Sequence, residues 1–259
     1  FQNDPEAGYY GWLPREGTVV PYRDADGNAH KIPTDFNEGE ANNKMARRQQ
    51  LIGYSFSHQF DDTFTVRQNL RYAKVHTLYR SVYGNGYSAP GKINRAYVRS
   101  DEDLNMFTVD TQLQSKFATG AVDHTLLTGV DYSRMRNDIN AKYGSADPID
   151  IQNPDYGNAN INTNLPWSNY SVVNRNEQTG LYAQEQAEWD KWVLTLGGRY
   201  DYAMASTLTR GSANTLAENH DQAFTWRGGI NYLFDNGISP YFSYSESFEP
   251  VSGSDRHGK

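Results

Sequence analysis

Six histidines are the residues of this chain best suited to ligate a metal ion, because cysteine is absent. No two of them stand at a spacing typical of a metal site: His30, His58, His76, His124, His220 and His257. The segment 24–28, DADGN, begins like a calcium-binding loop but lacks the terminal glutamate of the twelve-residue pattern. The spacing therefore predicts structural or surface histidines and a plain polar loop.

Catalytic arrangements are also missing from the sequence. No serine, histidine and aspartate follow one another as a nucleophilic triad would require, and no paired acids fall in a recognisable pocket. The glycines at 84–86, 197–198 and 228–229 have no strand-to-helix context, so a phosphate cradle is not expected. A net charge of −7 disfavours a nucleic-acid partner. We therefore expect that the protein is not an enzyme.

Charged side chains alternate with apolar ones in the stretch 192–204, WVLTLGGRYDYAM. Arg199 and Asp201 take one set of alternate positions, and the large apolar residues take the other: Trp192, Leu194, Leu196, Tyr200 and Tyr202. A period of two is that of a β-strand with two different faces. The same alternation recurs at 64–72, 107–117, 224–234 and 238–248.

The alternating segments predict an all-β chain of about eight strands with no helix. These predicted strands are 46–60, 63–83, 98–118, 123–143, 173–189, 192–208, 222–234 and 238–250. Short connections at 60–63, 118–123, 190–191 and 235–237 alternate with long polar segments at 13–45, 84–97, 144–172 and 209–221. The short turns would therefore lie at one edge of the sheet and the long loops at the other.

This asymmetry is typical of an outer-membrane β-barrel, whose short turns face the periplasm and whose long loops face outside. The apolar set would face lipid, with an aromatic girdle beside the short turns: Phe117, Trp189, Trp192, Tyr232 and Phe234. The polar set would line the lumen, and we expect lumenal charge networks from Arg67, Arg71, Arg134, Arg136 and Asp138. A soluble β-sandwich or a lectin-like module would also alternate and is the competing interpretation.

Several longer motifs point to a family. They include YGWLPREGTV (10–19), PTDFNEGE (33–40), DHTLLTGVDYSRMRNDINA (123–141), WDKWVLTLGGRYD (189–201) and FTWRGGINYLFDNGISPYFSYSESFEP (224–250). With these motifs the chain resembles the TonB-dependent outer-membrane siderophore receptors, and within them the ferric hydroxamate, or ferrichrome-type, branch. The resemblance implies a transmembrane antiparallel β-barrel of 22 strands filled by a plug. Residues 1–259 would form part of that barrel, with the plug and the remaining strands outside the chain, whose two ends read as cuts.

The resemblance also implies a binding site for the siderophore. The matching positions are Tyr10, Trp12, Tyr83, Asn85 and Tyr143, where Asn85 replaces a tyrosine of the family. The four aromatic residues fall at the long-loop ends of strands. A ferric siderophore carries its iron already wrapped, so the protein would supply aromatic walls and hydrogen bonds rather than metal ligands or a cofactor. A lipid-facing girdle is the alternative role for these aromatic residues.

The function implied by the resemblance is energy-coupled uptake of a ferric hydroxamate siderophore across the bacterial outer membrane. The implied partners are the siderophore, the TonB energy-coupling protein acting through the plug, outer-membrane lipid or lipopolysaccharide, and a phage or bacteriocin. Two other functions fit the pattern: a porin-like passive diffusion channel, and a docking surface for phages or toxins.

Overall fold

A computed structural model describes residues 2–3, 13–24 and 26–250 of the chain, and their regular structure is almost entirely β-strand. A single helical turn, α1, covers Arg15–Thr18. No helix in these ranges is both long and apolar enough to cross a membrane. The strands are β1 (Gln2–Asn3), β2 (Tyr22–Arg23), β3 (Ala29–His30), β4 (Lys44–Gln59), β5 (Phe64–Ala89), β6 (Lys92–Thr119), β7 (Val122–Asp150), β8 (Ile161–Asn162), β9 (Asn169–Trp189), β10 (Trp192–Thr209), β11 (Thr215–Tyr232) and β12 (Tyr241–Ser245).

The long strands form one antiparallel sheet in the order β1-β4-β5-β6-β7-β9-β10-β11-β12. The short strand β8 pairs with the end of β7, and β2 and β3 form a separate hairpin. Strands that follow one another in the chain are therefore neighbours in the sheet, as in an up-and-down barrel. The all-β prediction is confirmed, and the strands in the described ranges make an open sheet with β1 and β12 at its two ends.

The eight predicted strands correspond to β4–β7 and β9–β12, but several boundaries differ. The predicted loop 84–97 is mostly strand, because β5 continues to Ala89 and β6 begins at Lys92. Likewise β11 already begins at Thr215, within the predicted loop 209–221, and β7 extends to Asp150. Conversely, β12 is shorter than predicted. The polar composition of these segments indicated loops. A β-ladder, however, needs only paired backbone groups, so strands can continue beyond the membrane, where polar side chains remain solvated.

The register of the sheet separates two faces, since residues directly opposite one another on paired strands share a face. One row of directly opposed residues is mainly apolar: Tyr54, Leu70, Val109, Tyr132, Thr179 and Tyr202. The next row lies on the other face and is polar: Ser55, Asn69, Asp110, Asp131, Gly180 and Asp201. We call the first the outer face and the second the lumenal face.

Aromatic side chains gather on the outer face beside the short turns, as the girdle prediction requires. The rings of Trp192 and Tyr232 are 4.6 Å apart, and Tyr232 is 4.6 Å from Phe234. Trp189 and Phe117 at the neighbouring turns are exposed. Such a ring of amphipathic side chains suits the level of the lipid headgroups.

At the opposite end of the sheet, the segment 13–43 packs onto the tips of the strands. Tyr22 forms a buried apolar cluster with Ile93, Ile149 and Ile151. Glu40 and Arg95 make an ion pair of 2.7 Å with both side chains almost wholly buried. Glu40 also accepts a hydrogen bond from the backbone amide of Gly157, so two long connections are tied to the same strand ends.

Candidate functional site

The centre of the lumenal face is an arginine clamped between two aspartates. Arg199 on β10 donates to Asp201 through Nε and Nη2, at 2.7 and 2.6 Å, and to Asp131 on β7 through Nη1 and Nη2. Gln178 on β9 completes the cluster with a 2.7 Å hydrogen bond to Asp201. Gly180 lies directly between the two aspartates, and a side chain there would collide with the guanidinium. The cluster therefore joins three strands.

A tyrosine carries this polar wall further around the sheet. The hydroxyl of Tyr182 donates to Asp110 on β6 at 2.6 Å, and its ring covers Gly129 on β7. The guanidinium carbon of Arg199 lies 5.7 Å from the centre of the same ring. Arg67 on β5 donates to Gln114 on β6 at 2.7 Å. The register places Arg67 and Arg71 on the lumenal face as predicted, but this contact of Arg67 is with an uncharged amide, so the predicted charge network between them stays a prediction.

Two of the predicted siderophore-binding residues share the lumenal face at the loop end of the sheet. Tyr83 on β5 is opposite Ala96, and Tyr143 on β7 is opposite Val98 on the other side of β6. Two strand spacings, about 10 Å, separate them laterally. Asn85 is exposed near the tip of β5, beyond the last regular pair of that ladder.

The other two predicted binding residues, Tyr10 and Trp12, lie outside the described residues. Tyr170 on β9 is a further aromatic neighbour that was not predicted from the sequence. Tyr170 is opposite Ala141 and therefore shares the lumenal face with Tyr143; the two rings are 6.3 Å apart in an edge-to-face arrangement. Tyr170 falls within the predicted loop 144–172. The lumenal side chains of β9 are the even-numbered ones, such as Gln178 and Tyr182, and Tyr170 belongs to the same series.

Arg134, Arg136 and Asp138 were expected in the lumen, and this prediction is wrong because they lie on the outer face. Arg134 is directly opposite Phe107 and Glu177, and Glu177 is opposite Met204 on the same face. The alternation in the sequence already indicated the outer face for these three residues. These three residues continue the positions of Val130 and Tyr132 rather than alternating with them.

Above the apolar band, the outer face changes abruptly to charged residues. Arg210 holds Asp138 with two hydrogen bonds of 2.8 Å, and Arg136 reaches the same carboxylate at 3.3 Å. Arg134 pairs with Glu177 at 3.2 Å. We call this region the charged belt; it contains Arg48, Lys74, His76, Asp101, Asp103, Arg134, Arg136, Asp138, Arg175, Glu177 and Arg210. Its six cationic groups exceed its four carboxylates, although the whole chain is acidic.

The prediction of structural or surface histidines considered histidine spacing alone and stays a prediction, but His76 lies in a mixed group with two aspartates. His76, Asp101 and Asp103 bring three possible ligand atoms within 4.8 Å of one another. The aspartates come from a different strand, so their grouping with His76 depends on the register.

The 24–28 segment agrees with the polar-loop prediction, because its first carboxylate is already occupied by protein donors. Asp24 accepts hydrogen bonds from the backbone amides of Asp26 and Asn28 and lies 2.7 Å from Nε2 of His30. The contact with His30 is the main reason why the pKa of Asp24 is lowered to about 2. The loop is stabilised by its own side chains.

Comparison with known proteins identifies relatives of this chain. The chain is 54% identical over 97% of its length to the ferrichrome outer membrane transporter/phage receptor of Escherichia coli K12, and 40% identical over 100% of its length to the ferrioxamine B receptor of Salmonella typhimurium SL1344. It covers 36% of each of these relatives, so it spans about a third of their length. These relatives are receptors and transporters rather than enzymes.

A solved structure shares the fold at much lower sequence identity. The ferric-catecholate import receptor Fiu of E. coli K12, in its closed form, superimposes with a TM-score of 0.72 at 17% identity, covering 98% of this chain and 42% of that one. The model of the TonB-dependent receptor-like β-barrel matches residues 1–258. With its antiparallel sheet, apolar outer face and polar lumenal wall, the chain therefore belongs to the TonB-dependent receptor β-barrel family of the bacterial outer membrane.

Proposed function

We propose that this chain forms part of the wall and external vestibule of a receptor that takes up ferric hydroxamate siderophores. The observation that carries the proposal is the pair Tyr83 and Tyr143, which share the lumenal face at the loop end, with Tyr170 against Tyr143. Rigid aromatic rings with polar tips suit a compact, uncharged ferric complex. The names of the 54% and 40% identical relatives, which concern ferrichrome and ferrioxamine B, support the hydroxamate class.

In this proposal the protein supplies no ligand to the iron. Ferric ion arrives inside the siderophore as cargo, and tyrosine rings and hydroxyls bind the organic shell. Uptake would be driven by TonB acting on a plug domain, which the resemblance assigns to residues outside these 259. The lumenal clusters around Arg199 and Arg67 would form the polar wall that such a plug contacts.

The site assignment can be tested by replacing Tyr143 with alanine in the complete protein that carries this chain. Tyr143→Ala should weaken binding of ferrichrome in detergent about tenfold or more, because a central aromatic contact is lost. Tyr72→Ala is the matched control, since Tyr72 is a tyrosine of the outer face. Equal affinity in the wild type and Tyr143→Ala would contradict the proposed site.

Asn85 stands where the family has a tyrosine, and we propose that it sets the preference among hydroxamates. An amide offers both hydrogen-bond donors and an acceptor, whereas a tyrosine offers ring area. Asn85→Tyr should therefore change the ratio of the affinities for ferrichrome and ferrioxamine B. An unchanged ratio would remove Asn85 from the specificity site.

The charged belt supports a second partner, the lipopolysaccharide of the outer leaflet. Arg134, Arg136 and Arg175 lie on the outer face just above the apolar band, where anionic headgroups are found. Arg134→Ala combined with Arg175→Ala should reduce the lipopolysaccharide that copurifies with the protein. Undiminished copurification would count against this contact.

Phage docking is a further candidate, favoured by the name of the E. coli relative, which is a transporter and phage receptor. The exposed connection 151–168 is the surface in the described part of the chain on which we propose such docking. Phage adsorption to cells that carry a deletion in this connection should fall, and unaltered adsorption would exclude it. A steady, large conductance of the complete protein in planar bilayers would instead favour a porin-like channel.

A further inference from the structure

The charged belt contains a group of three side chains with the composition and spacing of a metal site. His76 is on β5, and Asp101 and Asp103 are on β6. His76 is directly opposite Asp103, and the two aspartates are two residues apart, so all three project from the outer face. The group therefore lies above the apolar band, away from the lumenal tyrosines.

The two distances from His76 to the aspartates are close to those between ligands of one tetrahedral ion, and all three ligand atoms lie within 4.8 Å of one another. Nδ1 of His76 is 3.3 Å from Oδ1 of Asp103 and 3.7 Å from Oδ1 of Asp101. Two ligand atoms bound at about 2.0–2.2 Å to a tetrahedral Zn²⁺ are themselves about 3.3–3.6 Å apart. Because a β-ladder rather than a loop fixes the three positions, little rearrangement would be needed to bind an ion.

In the part of the chain that the structure describes, the two aspartates of the group have no arginine or lysine partner of the kind that Asp138 has, although the belt as a whole is rich in cations. Asp138 is directly opposite Asp103, and like charges in that position destabilise a sheet. Asp138 is neutralised by Arg210 and Arg136. Among the described residues, Asp101 and Asp103 form ion pairs only with His76. Arg48, which is directly opposite His76, makes no ion pair with them.

We propose that His76, Asp101 and Asp103 form a binding site for a divalent transition-metal ion of the Zn²⁺ class. An imidazole nitrogen with two carboxylates suits Zn²⁺, whereas Ca²⁺ and Mg²⁺ are bound by oxygen ligands. Three protein ligands leave one coordination position open, and the half-exposed side chains make it accessible from outside. This site is distinct from the proposed siderophore site, because the ion would be bound on the outer face of the sheet and the siderophore on the lumenal face.

Calorimetric titration of the complete, detergent-purified protein with ZnCl₂, after removal of metal by EDTA, tests the proposal. Wild type should bind one Zn²⁺ that excess Mg²⁺ does not displace. His76→Ala and the isosteric Asp103→Asn should each weaken binding by more than about tenfold, because each removes a direct ligand. Zn²⁺ binding that is absent in the wild type, or equal in the wild type and both variants, would overturn the site.

His220→Ala is the matched control. His220 is also on a strand, is about equally exposed, and lies 2.8 Å from the carboxylate of Glu218. Within the described ranges it has no second acidic partner. Zn²⁺ affinity should be unchanged in this variant, and a loss equal to that of His76→Ala would show unspecific histidine binding and overturn the proposal. Asp101→Asn serves if His76→Ala does not fold. No siderophore is present, so the result is independent of the proposed function.

Discussion

Two arginine–aspartate clusters in this sheet have the same spacing in sequence and opposite surroundings. Arg199 and Asp201 are two residues apart on β10 and lie on the lumenal face, whereas Arg136 and Asp138 are two residues apart on β7 and lie on the outer face. Each carboxylate also gains a partner from another strand or connection. The comparison teaches that a short charged motif in a barrel wall acquires its role from the face on which it falls.

The two clusters differ in burial. Asp201 is only 2% exposed and accepts hydrogen bonds from Arg199 and Gln178. Asp138 is held by Arg210, which comes from the connection after β10 and is more open to solvent. A buried carboxylate depends strongly on its cation, whereas water and salt can replace the partner of an exposed one.

The largest effect that should separate the clusters is the loss of the central arginine. Arg199→Ala leaves Asp201 buried and Asp131 without its cation, so unfolding by urea should become easier by about 3 kcal/mol. Arg210→Ala should cause a much smaller change, because Asp138 keeps Arg136 and reaches solvent. Equal shifts of the two unfolding midpoints would contradict the distinction between the faces.

Gly180 offers a sharper test of the lumenal cluster alone. Gly180→Ala should destabilise the protein by about 1–3 kcal/mol, because the new methyl group would occupy the place of the guanidinium and push it from the two aspartates. Gly228→Ala is a matched control on the same sheet, since a Cβ there meets its nearest neighbours at 3.5 Å, an ordinary contact. Thermal unfolding followed by circular dichroism measures both, and a harmless Gly180→Ala would show that the cluster tolerates rearrangement.

Salt should weaken the outer cluster more than the lumenal one. A double-mutant cycle on Arg210 and Asp138, repeated at low and high NaCl, should lose most of its coupling free energy, because exposed charges are screened over about 10 Å at 0.1 M salt. The cycle on Arg199 and Asp201 should change less, because the side chain of Asp201 is almost wholly buried. A larger loss in the second cycle would contradict the difference in burial between the two clusters.

The smallest effect concerns Asp24, a partly exposed carboxylate near the strand tips. Its pKa of about 2 in the folded chain lies below the ordinary value of 3.8, chiefly because of His30. Because the pKa of Asp24 is lower in the folded than in the unfolded chain, the ionised carboxylate stabilises the fold above about pH 4. This contribution is lost as the pH falls through about 2. In ¹³C NMR, His30→Ala should raise the Asp24 titration towards the ordinary value while leaving other carboxylates unchanged. An unmoved titration would assign the shift to backbone donors instead.

Much of the fold could be predicted from the alternation of side chains. The eight main strands, the short turns and the girdle around Trp192 follow from a period of two and from turn residues. The predicted loops at 84–97 and 209–221 were partly wrong, because composition does not reveal whether polar arms pair with each other. Of the predicted binding residues, Tyr83 and Tyr143 are found on the lumenal face. Tyr170 was not predicted, because it lies inside the predicted loop 144–172.

By itself, the sequence determined which side chains share a face within each strand, because successive residues point in opposite directions. That rule already gave the lumenal position of Arg199 and, read consistently, the outer position of Arg136. Only the tertiary structure decided which strands meet and in what register. The clamp of Arg199 between Asp131 and Asp201, and the group of His76 with Asp101 and Asp103, exist because the register places residues from different strands opposite one another.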